Sequence, residues 1–108
     1  MLAVQDVRLD PRSRQVWRGS DEVSLSRKEF ELLHALMRRP GVIVTRAELM
    51  AEVWETHFFT SSKTIDVHLG WLRRKLGDNP RDPSLITTHR GRGIRFEADS
   101  VRPMTVGE

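Results

Sequence analysis

Short apolar runs set off by polar breaks fill the first quarter of the chain: Leu2 to Val4, Val7 to Leu9, Gln15 to Trp17 and Val23 to Leu25, with a turn at Asp10-Pro11 and a break at Gly19 to Asp21. Runs this short predict the strands of a small antiparallel sheet within residues 2–25. The period then changes. Ser26 and Glu29 have the spacing of a capping box, in which hydroxyl and carboxylate each satisfy a free backbone N–H. Phe30, Leu33, Leu36 and Met37 continue on one helical face until Pro40-Gly41, which predicts a helix over about 27–39.

A short apolar strand, Val42 to Val44, leads to a second capping-box pattern, Thr45 with Glu48, and a helix over about 46–54 carrying Leu49, Met50, Val53 and Trp54. Residues 55–61 break the periodicity and hold an adjacent pair, Phe58 and Phe59, ahead of a Thr-Ser-Ser cluster able to cap a third helix. That helix spans about 62–76 and stops at Gly77 to Pro80. Leu85 to His89 and Ile94 to Ala98 are β-prone runs joined by Arg90, Gly91, Arg92 and Gly93, which predicts a hairpin over 85–98. The whole reads as one α+β domain, residues 1–100, with a loose tail at 101–108. A sheet, three helices and a terminal hairpin make the layout of a winged helix-turn-helix, in which the last helix enters the major groove and the hairpin is the wing.

Charge sharpens this picture. The net charge is +3 over 108 residues, yet residues 1–59 balance nine basic against nine acidic side chains. Between Ser61 and Arg95 eight basic residues face three acidic ones, so the second half is aimed at a polyanion. There is no cysteine, hence no disulfide, zinc-thiolate site or thiol nucleophile. His34, His57, His68 and His89 lack metal-ligand spacing, and there is no phosphate loop or paired acid–base group; no catalytic residue, metal or cofactor is expected. The N-terminus has no signal-peptide run and no stretch is long enough to span a bilayer, so a soluble cytoplasmic chain without membrane contact is expected.

On the third helix, at about 100° per residue, Ile65, Leu69, Leu72 and Leu76 fall on one stripe, expected to face the core. The opposite arc carries Lys63, Val67, Gly70 and Arg74, with Thr64 and Trp71 at its edge. Gly70 costs about 1 kcal/mol relative to Ala in a helix interior, so its place there suggests close approach of something large. Val67 suits a thymine methyl. In the hairpin, Gly91 and Gly93 permit a tight turn and close backbone approach to a groove, while Arg90 and Arg92, with Arg95 nearby, reach phosphates or minor-groove acceptors. A basic helix face alone is commonly just a solvated face. A basic face beside a basic hairpin, in a chain whose other half is neutral, is what a phosphate-binding surface requires. The alternative is a winged helix that binds an acidic protein partner. RNA is disfavoured, because strand faces lack stacking aromatics. Trp17 reads as core; Trp71 reads equally as core or as groove-facing.

Four segments, LSRKEFELLHAL, VTRAELMAEVW, TIDVHLGWLRRKLGD and ITTHRGRGIRF, in that order and spacing, resemble the OmpR/PhoB-type effector domains of bacterial two-component response regulators, over nearly the whole chain. The resemblance implies a four-stranded N-terminal sheet, a three-helix core, a hairpin wing, and regulation of transcription by binding double-stranded promoter DNA as tandem copies on direct repeats. It implies phosphate contacts at Trp54, Lys63, Thr64, His68 and Arg73, and wing contacts at Thr88 and Arg90. It also implies RNA polymerase contact in the loop holding Thr56, His57, Phe58 and Phe59. A receiver domain and a sensor kinase are implied upstream, in a regulator of which this chain is the effector half, or else the chain is a stand-alone binder; the isolated domain is expected to be a monomer. Two departures matter: Trp71 and Gly70 stand where relatives carry basic residues, and His89 and Ile94 where they carry valine and tyrosine.

Overall fold

Four short strands, β1 (Leu2–Val4), β2 (Val7–Asp10), β3 (Gln15–Arg18) and β4 (Asp21–Val23), run antiparallel in the order β1-β2-β3-β4 in the computed structural model, which describes residues 1–55, 63–79 and 81–99. Val7, Leu9 and Val16 point inward with at most 1% exposure, and the residues between them face out, the period-two pattern of a sheet covered on one side. The last strand lies two residues earlier than the expected Val23 to Leu25. Arg18 pairs with Asp21, which makes Gly19-Ser20 a two-residue turn and draws the polar Asp21 and Glu22 into the ladder.

Helix α1 (Arg27–Met37) starts from a complete capping box: the Glu29 N–H donates to Ser26 Oγ at 3.2 Å and the Ser26 N–H donates to Glu29 Oε1 at 2.8 Å. It ends two residues short of the expected boundary, since the residue before Pro40 is pushed out of the helical region. Helix α2 (Arg46–Val53) is capped by Thr45 alone; its Oγ1 accepts from the Glu48 N–H, and the Glu48 carboxylate lies 3.5 Å from Arg39. The expected strand at Val42 to Val44 shrinks to a single bridge between Val44 and Ile94.

Helix α3 (Lys63–Leu76) ends in a Schellman motif, with Gly77 at φ +73° and the Asp78 N–H donating to the Arg73 carbonyl at 2.8 Å. Arg18 of β3 closes the same end by donating to the Leu76 carbonyl at 2.5 Å. Strands β5 (Ile86–His89) and β6 (Gly93–Phe96) form the terminal hairpin. Helix α1 is the hub, packing on α2, α3, β1 and β6, and it buries Phe30, Leu32, Leu33, Ala35, Leu36 and Met37. Gln5, at the β1–β2 turn, donates to the carbonyls of Ser84 (2.8 Å) and Glu97 (3.1 Å), which ties the first hairpin to the last.

Candidate nucleic-acid interface

Ile65, Leu69, Leu72 and Leu76 are at most 2% exposed, so the expected stripe of α3 is the core stripe. Lys63, Val67, Gly70, Trp71 and Arg74 are exposed on the same helix, and Thr64 is half-buried. Val67 and Trp71, at 46% and 44% exposure, are two of the four large apolar side chains exposed among the described residues. A Cβ on Gly70 would meet nothing within 4 Å, so no neighbour among the described residues explains the glycine. Two open readings of Trp71 thereby reduce to one: its ring is a surface ring.

That ring is nonetheless held. His68 packs edge-on against Trp71 with centroids 5.0 Å apart, and against Trp54 at 5.2 Å on its other side. Its Nδ1 lies 2.7 Å from the Thr64 carbonyl, an acceptor only, so Nδ1 carries the proton and donates. Three of the expected phosphate-contacting residues, Trp54, Thr64 and His68, are therefore one connected unit around the start of α3. Asp66 in the first turn pairs with Arg46 at 2.8 Å and fixes α3 against the head of α2.

Arg73 is committed within the domain. Its Nε and Nη2 donate to the Ile86 carbonyl at 3.2 and 3.1 Å, and Nη2 donates to Thr88 Oγ1 at 2.8 Å. Burial pulls its pKa down while Asp78 and Asp66 push it up; a guanidinium stays charged throughout. Both Arg73 and Thr88 are thus partners in a bridge that sets the wing beside α3. Asp78, only 3% exposed, completes the mount: Oδ1 accepts from the N–H groups of Ser84 (2.9 Å) and Leu85 (3.2 Å), and Oδ2 accepts from that of Ile86 (3.0 Å). In sequence Asp78 reads only as part of a helix stop; an acid directly after the terminating glycine is the available signal.

At the wing tip His89, Arg90, Gly91 and Arg92 form the turn, closed by the Arg92 N–H donating to the His89 carbonyl at 2.9 Å. Gly91 has φ +75° in open space, while Arg90 and Arg92 are exposed. Two expectations are corrected here. Gly93 is buried in β6 and its bare Cα abuts Val44, so it serves the packing of the wing onto the domain and not approach to a groove. Arg95 does not reach outward: Nε donates to Glu97 Oε2 at 2.8 Å, an oxygen that also accepts from the Thr87 hydroxyl, with His89 Nε2 at 4.0 Å. The candidates Thr56, His57, Phe58 and Phe59, the Thr-Ser-Ser cap and the tail at 101–108 lie outside the described residues.

Among the described residues no three His, Cys, Asp or Glu side chains cluster to hold a metal, and no helix is long and apolar enough to cross a membrane. Arg73 instead ties the helix that carries the exposed arc to the strand that leads to the basic wing tip, and comparison with known proteins gives that arrangement a family. Residues 20–96 match the family described as "Transcriptional regulatory protein, C terminal". The transcriptional regulatory protein TcrA of Mycobacterium tuberculosis is 43% identical over 101 residues, which cover 94% of this chain and 40% of that protein, so the chain spans about two-fifths of this relative's length. The DNA-binding domain of Klebsiella pneumoniae RstA, solved in complex with RstA box, superposes with a TM-score of 0.85 at 31% identity, covering 90% of this chain and 96% of that one. The DNA-binding domain of E. coli CpxR gives 0.81 at 30% identity, covering 92% and 97%. The chain belongs to the transcriptional regulatory protein C-terminal family and has the winged-helix fold of the OmpR/PhoB-type effector domains of response regulators.

Proposed function

We propose that this domain binds double-stranded promoter DNA by laying the exposed arc of α3 in the major groove while Arg90 and Arg92 of the wing take phosphates or minor-groove acceptors. The observation that carries this reading is the Arg73 bridge, because it makes helix and wing a single mount with their unburied basic residues on it. Trp54, Lys63, Thr64 and His68 at the head of α3 are the proposed backbone contacts, with Arg73 and Thr88 holding the wing that supplies the rest. The RstA complex supports DNA as the polyanion, and nothing in the fold favours an acidic protein over it.

On the same reading the domain acts without catalysis, in the cytoplasm, as a monomer that assembles in tandem on direct repeats. It forms the effector part of a regulator whose receiver domain answers to a sensor kinase, and residues 56–59 are the proposed contact with RNA polymerase. The deciding experiment is a salt titration of binding to random duplex DNA. Binding should weaken steeply as salt rises, with log K falling linearly in log salt. Absent or salt-independent binding would remove the DNA reading and leave the acidic-partner one.

A further inference from the structure

Relying on DNA as the ligand, we infer that Val67 and Trp71 form an apolar reading ridge that selects thymine methyl groups in the major groove, with Trp54 and His68 as the residues that position it. Val67 and Trp71 are one turn apart on α3, so their side chains are neighbours on one face. Nearly half of each is exposed, an unusual outlay of apolar surface when, among the described residues, the other large hydrophobics except Met1 and Val42 are covered. The ridge is stiff rather than loose. The Trp71 ring rests against His68 at 5.0 Å, His68 rests against Trp54 at 5.2 Å, and the imidazole is fixed in turn by its 2.7 Å bond to the Thr64 carbonyl. A ring braced this way loses little freedom on contact, which is how an apolar group gains selectivity.

The charge around the ridge identifies its occupant. Arg74 stands exposed beyond Gly70, and Lys63 stands exposed one turn before Val67, so an apolar strip is flanked along the helix by cations. That is the layout of a surface meeting phosphates on either side of a groove floor. The floor of a major groove offers one kind of apolar group, the C5-methyl of thymine. Guanine reading from this helix is poorly served: Arg73 is turned away and committed to Ile86 and Thr88. Gly70, with open space where a Cβ would be, lets the helix come close enough for the ridge to touch base edges.

The test starts from the duplex that the whole chain selects from a random pool. Each thymine in it is replaced singly by deoxyuridine, which keeps pairing and removes only the methyl, and dissociation constants are measured. One or two positions per half-site should weaken about four-fold each, the value of one buried methyl. In Trp71→Ala or Val67→Ser that uracil penalty should disappear, and Trp71→Arg should shift preference toward guanine at one position per half-site. Uracil tolerated at every position, or a penalty that persists unchanged in both variants, would overturn the proposal. Should Trp71→Ala fail to fold, Trp71→Phe and Val67→Ser at exposed positions still decide it. Failure of the DNA reading itself looks different, because the unmodified chain would then show no salt-dependent binding to any duplex.

Discussion

A Cβ on Gly93 would lie 2.2 Å from the Val44 carbonyl oxygen and 2.8 Å from its carbon. The contact is this close because Val44 and Ile94 exchange both backbone hydrogen bonds, at 2.8 and 2.9 Å, which pins β6 to the segment before α2. Gly93→Ala should therefore destabilise the domain by about 3 kcal/mol, since backbone, unlike a side-chain tip, has nowhere to move. Gly91→Ala meets only the strain of a positive φ in open space and should cost about 1 kcal/mol. Paired thermal melts check the order; equal losses would remove the packing account.

Within the wing, arginines of one sequence cluster should behave differently. Arg90→Ala with Arg92→Ala should shrink the salt slope of duplex binding by up to about one unit per lost phosphate contact. Arg95→Ala should leave that slope unchanged, because its guanidinium is already held by Glu97, and should instead lower the melting temperature by uncovering a nearly buried carboxylate. A slope that falls with Arg95 and not with the tip residues would contradict the assignment.

Below neutral pH two groups should unload stability in turn. Burial, then the charges of Arg38 and Arg14, hold His34 below its ordinary value. Its contribution is full above the unfolded-state value, about 6.5, and is lost as pH falls through the folded one. Glu29 gives way at lower pH. Burial pushes its carboxyl up, but the Lys75 hydrogen bond and the Ser26 N–H outweigh that and leave it below the usual carboxylate range. Lys75→Met should let burial prevail and lift the folded carboxyl above its unfolded value, so that the variant is less stable at neutral pH and its lower step reverses, regaining stability on acidification, whereas His34→Gln should flatten only the upper step. Chemical denaturation between pH 8 and pH 3 would separate the two.

Periodicity makes the helices and the core stripe of α3 legible, because burial on one face of a helix imposes a spacing that survives in sequence. Ser26 and Glu29 are legible as a capping box for the same local reason. Bonds between residues far apart in the chain leave no such trace: Arg73 to Ile86, Gln5 to Ser84, Gly93 against Val44. An arginine committed to a carbonyl looks, in sequence, like an arginine reaching for phosphate. Arg95 passes for a phosphate ligand on those grounds, and β4 is displaced because a two-residue turn pulls charged residues into a strand that composition alone disfavours.

Asp78 offers the sharpest check on how the wing is mounted. Its two carboxylate oxygens accept three backbone N–H bonds, from Ser84, Leu85 and Ile86, so one buried side chain supplies the acceptors that open β5 and joins them to the end of α3. Hydrogen bonds to a charged acceptor are worth more than neutral ones, and donors stranded in a buried site cost about 1 to 3 kcal/mol each. Asp78→Ala should thus cost about 3 kcal/mol or more. Asp78→Asn keeps one acceptor oxygen but turns an amide N–H₂ toward a backbone donor, and should cost nearly as much despite its matching shape. In hydrogen exchange the amides of Ser84, Leu85 and Ile86 should lose protection ahead of those in α1. Uniform loss across the domain would instead mean that Asp78 contributes general stability and does not mount the wing.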